Sequence, residues 1–170
     1  MDNVRSAAYR TTAESIIKKL ALRNMIGHYC ETASDAVELV RALVANGESV
    51  TWGGSVTFSQ SGVKDALTAD GHPMIDRMAA HTPEEQDEMW RRQVSADWFF
   101  MSTNAITLNG ELVNIDGNAN RLALLLHGPK HVCVIAGMNK VVADVESGIK
   151  RVHTARMPPQ RRTSAHKYPL

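Results

Sequence analysis

Four consecutive apolar residues, Trp98-Phe99-Phe100-Met101, constrain the fold of this chain more than any other feature. The run does not alternate with polar residues and is too short for a helix, so it reads as a strand covered on both faces. The residues around it supply the covering layers. Ala13, Ile16, Ile17 and Leu20 recur at helical spacing, with Lys18 and Lys19 on the other side. A second helix is expected from about Ser34 to Asn46, with Val37, Val40 and Val44 on one stripe and Gly47 ending it. Thr82-Pro83-Glu84-Glu85 opens a third: Thr82 caps, Pro83 takes the first helical position and Glu85 returns to the cap. Shorter helices are expected over residues 62–70 and 118–126. A final one uses Val142, Val145, Ile149 and Val152, with acids at its start and bases at its end.

Between these helices lie further short strands, Ser49–Trp52, Met74–Ile75 and His131–Ala136. Asn109-Gly110, flanked by Ile106–Leu108 and Leu112–Ile115, predicts a hairpin with a two-residue type I′ turn. That register would place Ile106, Leu108, Val113 and Ile115 on one face. Helices alternating with apolar strands predict a three-layer α/β fold with a mostly parallel sheet plus one antiparallel hairpin.

At 170 residues and 44% apolar content, one domain with a proper core is expected. A net charge of +1 excludes a strongly basic nucleic-acid binder. The charge is uneven: residues 147–170 hold six bases and no acid, leaving residues 1–146 at −5. Residues 158–170 read as a basic extended tail following the domain of residues 1–157. Cys30 and Cys133 have no metal-ligand spacing, and Cys133 reads as a small buried hydrophobe. The sequence has no membrane span and no secretory leader pattern, so a cytoplasmic protein is expected.

In layered α/β folds, ligands bind beyond the carboxyl ends of the strands. Three loops there are rich in small polar residues. Trp52-Gly53-Gly54-Ser55 could bring backbone N–H groups close to an anion, or be an ordinary turn. Ser102-Thr103-Asn104 could orient a ligand or cap the turn into the hairpin. Asn114-Ile-Asp116-Gly117-Asn118-Ala-Asn120-Arg121 holds more polar groups than a single helix cap needs. Lys140, after Gly137-Met-Asn139, stands at a helix start, where the macrodipole disfavours a cation.

Taken in order, these pieces resemble the lactate-utilisation (LUD) domain family of bacterial and archaeal proteins. They are Trp52-Gly-Gly-Ser55, Ser102-Thr-Asn-Ala-Ile-Thr107, Asn109-Gly-Glu-Leu-Val-Asn-Ile-Asp-Gly117, Asn120-Arg121, Gly128-Pro-Lys130 and Ala136-Gly-Met-Asn-Lys140. The resemblance spans about Ala13 to Met157. It implies a fold similar to the phosphosugar-isomerase and CoA-transferase superfamily and a connection to oxidation of lactate to pyruvate. It also implies iron–sulfur or oxidoreductase partner proteins. Many single-domain relatives continue into a cysteine-bearing tail. This chain reaches Leu170 without a CxxC pair, so neither a metal nor an iron–sulfur cluster is expected on this chain alone. Asn118-Ala119 stands where relatives often have a second small residue such as glycine.

The family's motif positions fall on Gly53, Gly54, Ser55, Thr103, Asn104, Glu111, Asp116, Gly117, Asn120, Arg121, Asn139 and Lys140, which are expected to line one cleft. The resulting reading is a protein that binds a small anionic metabolite or cofactor, with Glu111 or Asp116 as acid/base if it is an enzyme. Arg121→Ala is then expected to weaken binding more than folding. Two further readings are an isomerase or transferase for phosphorylated or CoA-linked substrates, and a non-catalytic subunit of a redox complex. A homo-oligomer is among the assemblies these readings admit. No nucleotide or nicotinamide fingerprint is present, so the identity of any cofactor is left open.

Overall fold

The computed structural model describes residues 3–154; the tail of residues 158–170 lies outside them. The chain runs α1 (Asn3–Ala21), α2 (Ala33–Leu43), β1 (Val50–Trp52), α3 (Val56–Gln60), α4 (Val63–Ala69), β2 (Met74–Ile75) and α5 (Pro83–Val94). It continues as β3 (Trp98–Met101), β4 (Ala105–Thr107), β5 (Leu112–Val113), α6 (Asn120–Leu126), β6 (His131–Val134), β7 (Val141–Val142) and α7 (Val145–Thr154).

β3 is the inner strand that its composition demands. It pairs in parallel with β1 on one side and β6 on the other, in a four-stranded sheet ordered β2-β1-β3-β6. Its side chains alternate between two cores, as a strand's period of two requires. Trp98 and Phe100 pack with Val40, Phe58, Val63 and Leu67 beneath α2, α3 and α4. Phe99 and Met101 pack with Trp90, Val94, Leu124 and Leu125 beneath α5 and α6. All four residues of β3 are buried. This is the three-layer α/β arrangement.

Helix ends follow the expected chemistry. The Thr82–Glu85 capping box is present, and a second box, Thr32 with Asp35, opens α2 slightly before the expected Ser34. α3 was not foreseen as an element of its own; Ser55 caps it by accepting from the Phe58 amide at 3.1 Å.

The hairpin departs from its expected register. Gly110 has φ +82°, but Asn109 is not left-handed, so the turn is not type I′. The Thr107 amide donates to the Glu111 carbonyl at 2.9 Å, which leaves a three-residue loop, Leu108-Asn109-Gly110. One extra loop residue flips the first strand: Ala105 pairs with Val113 and Ile106 with Leu112. Ala105, Thr107 and Val113 therefore point inward, and Leu108 is exposed. The hairpin also belongs to a second, three-stranded sheet, β5-β4-β7, in which β4 and β7 run parallel. Val142 lies in β7 rather than in the last helix, because Asp144 accepts from the Ser147 amide and starts α7 after it.

The tip of the hairpin rests on the end of α1. A Cβ on Gly110 would lie 3.2 Å from both the Leu20 amide nitrogen and Lys19 Cβ. Gly110→Val combines a disfavoured φ with this collision and is expected to cost about 2 kcal/mol or more. Urea denaturation checks it; an unchanged midpoint would contradict both the turn and the contact.

No helix among the described residues is long and apolar enough to cross a membrane.

Candidate functional site

The strand order places β1 beside β3, with β2 outside one and β6 outside the other, so successive connections leave in opposite directions. Such a switch point opens a crevice at the carboxyl ends of the two inner strands. β1 delivers Gly53 and Gly54 there, and β3 delivers Ser102, Thr103 and Asn104.

Arg121, on the first turn of α6, reaches into this crevice. Its Nη1 donates to the Ser102 carbonyl at 2.9 Å. Nη2 donates to Asn104 Oδ1 at 2.7 Å and to the Ile115 carbonyl at 3.1 Å. Its stem lies on Gly53, where an added Cβ would be 3.5 Å from Arg121 Cγ. The side chain is only 17% exposed. Such a planar fork, bonded on several sides, ties the β3 loop to the loop before α6.

Lys140 enters from the 3-10 turn Met138–Lys140 that follows β6. Its Nζ donates to Ser102 Oγ at 2.5 Å and to Thr57 Oγ1 at 3.2 Å. Burial first, then the nearby positive charges of Arg151 and Arg121, hold its pKa below that of a free lysine. Arg151, from α7, donates to the Asn104 carbonyl at 2.6 Å and the Asn139 carbonyl at 3.4 Å. Neither Lys140 nor Arg151 has a carboxylate within ion-pair reach among the described residues. A further guanidinium, that of Arg77, stands 3.3 Å from where a Cβ on Gly54 would be.

Several expected cleft residues have other duties. Asp116 Oδ2 accepts from the amides of Arg121 (2.9 Å) and Leu122 (3.2 Å), and Oδ1 lies 3.7 Å from Arg121 Nε. It thus caps α6, whose own N-cap residue, Ala119, has no side chain for the task. Ala119 itself holds φ +59°, a left-handed backbone that glycine adopts freely. The buried Thr103 hydroxyl donates to the Ala105 and Val113 carbonyls and pins the hairpin. Ser55 spends its oxygen capping α3.

Glu111 is not brought to the cluster. It sits at the hairpin, bonded to Arg23 (2.7 Å) and to the Thr107 hydroxyl, which is the main cause of its lowered pKa. Asn139 contributes its backbone carbonyl, and its side-chain oxygen folds over Gly137. Gly117 and Asn120 are exposed, and no hydrogen bond ties the Asn120 side chain to the cluster among the described residues.

The structure therefore gathers Gly53, Gly54, Asn104, Arg121 and Lys140 of the expected set. It adds Ser102, Thr57, Arg151 and Arg77. Strand alternation into the β3 loop could have separated Ser102 from Thr103; nothing in the sequence marked Arg151. Cys133 takes no part: burial pushes its thiol up to about 11, as suits a packed hydrophobe.

A family model described as the LUD domain matches residues 13–168. Neither a curated protein nor a solved structure matches the chain.

Proposed function

Because the chain belongs to the LUD domain family, we propose that it serves lactate utilisation by binding a small anionic metabolite or cofactor in the crevice beyond β1 and β3. One observation carries this reading: Arg121, Lys140 and Arg151 converge on that crevice with Asp116 as their neighbouring carboxylate. Among the described residues Lys140 and Arg151 have no carboxylate within ion-pair reach, and a bound anion would neutralise that positive charge, with half-burial strengthening the attraction. The lowered pKa of Lys140 agrees with it: burial first, then the charges of Arg151 and Arg121, work against the ammonium.

Lys140→Gln separates binding from folding. The lysine bonds two hydroxyls and is repelled by two arginines, so its loss should leave unfolding within about 0.5 kcal/mol of the parent. Thermal shifts with lactate, pyruvate, sugar phosphates, CoA esters and inorganic phosphate give the test. A ligand at one hundred times its dissociation constant adds about 2.7 kcal/mol. The shift should appear in the parent and shrink severely in Lys140→Gln. An equal shift in both proteins would remove the lysine from the site, and no shift with any of these anions would sink the reading.

A further inference from the structure

Ser102 and Lys140 meet in a way that anion binding does not require. Ser102 is 5% exposed, at the carboxyl end of the inner strand β3, and its Oγ is 2.5 Å from Lys140 Nζ. Thr57 Oγ1 holds the same nitrogen from a second direction at 3.2 Å. A hydroxyl within reach of a base, with that base oriented by a third group, is the arrangement that activates a serine. Serine–lysine pairs are one of its known forms.

A lysine can act as the base only when it is neutral. Burial disfavours the ammonium most, and the charged groups facing Lys140 among the described residues, Arg151 from α7 and Arg121 from α6, disfavour it further. The Asp116 carboxylate is engaged by Arg121 and the amides of α6.

We propose that Ser102 is a nucleophile and Lys140 its general base, together cleaving a carboxylic ester of a small acyl group through an acyl-serine. Lys140 Nζ takes the Oγ proton as Oγ forms a bond to the acyl carbon. The tetrahedral adduct collapses by breaking the bond to the alkoxy group, which leaves as the alcohol with the proton from Lys140. Water, deprotonated by the same amine, then attacks the acyl-serine and releases the carboxylic acid and free Ser102. Ser102 is 5% exposed, so a small acyl group is the one chosen to probe it. The pair itself does not rest on the anion reading above.

The probe is p-nitrophenyl acetate, followed by intact mass and peptide mapping. The parent protein should gain one acetyl group on Ser102, and Ser102→Ala should gain none there. Lys140→Arg keeps the positive charge but cannot give it up at neutral pH. It should acetylate Ser102 at least about 100-fold more slowly, the usual scale for losing a general base. Melting curves of both variants establish that they fold. An acetyl group on Lys140 instead of Ser102, no adduct on Ser102, or an unchanged rate in Lys140→Arg would each overturn the proposal. The acetyl donor is uncharged, so these outcomes are independent of the anion-induced thermal shifts. Acylation without such shifts would remove the anion reading alone, and shifts without acylation would remove the serine–lysine pair alone.

Discussion

Phe100→Ala is expected to destabilise the protein by about 3–5 kcal/mol, the range for deleting a buried aromatic ring. Phe100 is fully buried in the middle of β3. Its ring stacks on Phe58 at 5.2 Å between centroids and lies 5.9 Å from Trp98. Those two rings come from β3 itself and from α3, so neither can move into the vacated space without shifting an element. The cavity term should therefore add fully to the lost transfer energy. Urea denaturation measures the effect, with an unchanged slope expected if the unfolded state is the same. A loss below about 1 kcal/mol would mean that the layer collapses around the gap and that Phe100 is not its keystone.

The second large effect belongs to Arg121. Its sequence position suggested that alanine there would impair binding more than folding. The structure gives the side chain a large share in holding the fold as well. The guanidinium serves carbonyl or amide oxygens of Ser102, Asn104 and Ile115 and stands beside Asp116. Charged hydrogen bonds of this type contribute about 1.5–3 kcal/mol each in favourable cases, and they are not additive. With the side chain 17% exposed, some of that is recovered by water. Arg121→Ala is expected to cost about 2–4 kcal/mol of stability. Arg121→Lys should rescue little, because one ammonium cannot reach three acceptors held in a fork. If chemical denaturation places Arg121→Ala within about 0.5 kcal/mol of the parent, the network is not what holds these loops.

The legible parts of this fold are those where chemistry and spacing agree. Thr82-Pro83-Glu85 admits one local structure, and Trp98–Met101 admits one environment. The hairpin was legible as an element but not in register, because Asn-Gly suits a two-residue I′ turn and a three-residue loop ending in glycine alike. Only the pairing of Thr107 with Glu111 decides between them. Val142 has the right spacing from Val145 for a helix stripe, and a two-residue strand is too short to contradict it. Nor does a short apolar run reveal which sheet it will join, so the second sheet was invisible.

In the site, the loops were readable because glycines and hydroxyls directly follow recognisable strands. The misassigned residues were those with two equally good explanations. Arg151 near the end of α7 already satisfies the helix macrodipole, so its reach to Asn104 left no trace in the sequence. Asp116 could be a ligand group or a cap, and only the amides of Arg121 and Leu122 show which duty it performs here.

The order of assembly during synthesis follows from where the cations lie in the chain. Gly53, Gly54 and the Ser102–Asn104 loop leave the ribosome well before the groups that converge on them: Arg121, Lys140 and Arg151. At roughly 5–20 residues per second, the last of these follows Ser102 by about 2.5–10 s. A nascent chain stopped between β3 and α6 can pair β1 with β2 and β3, yet it has none of those three charges at the crevice. The cluster of cations is thus complete only once α7 has been made and docks on β4.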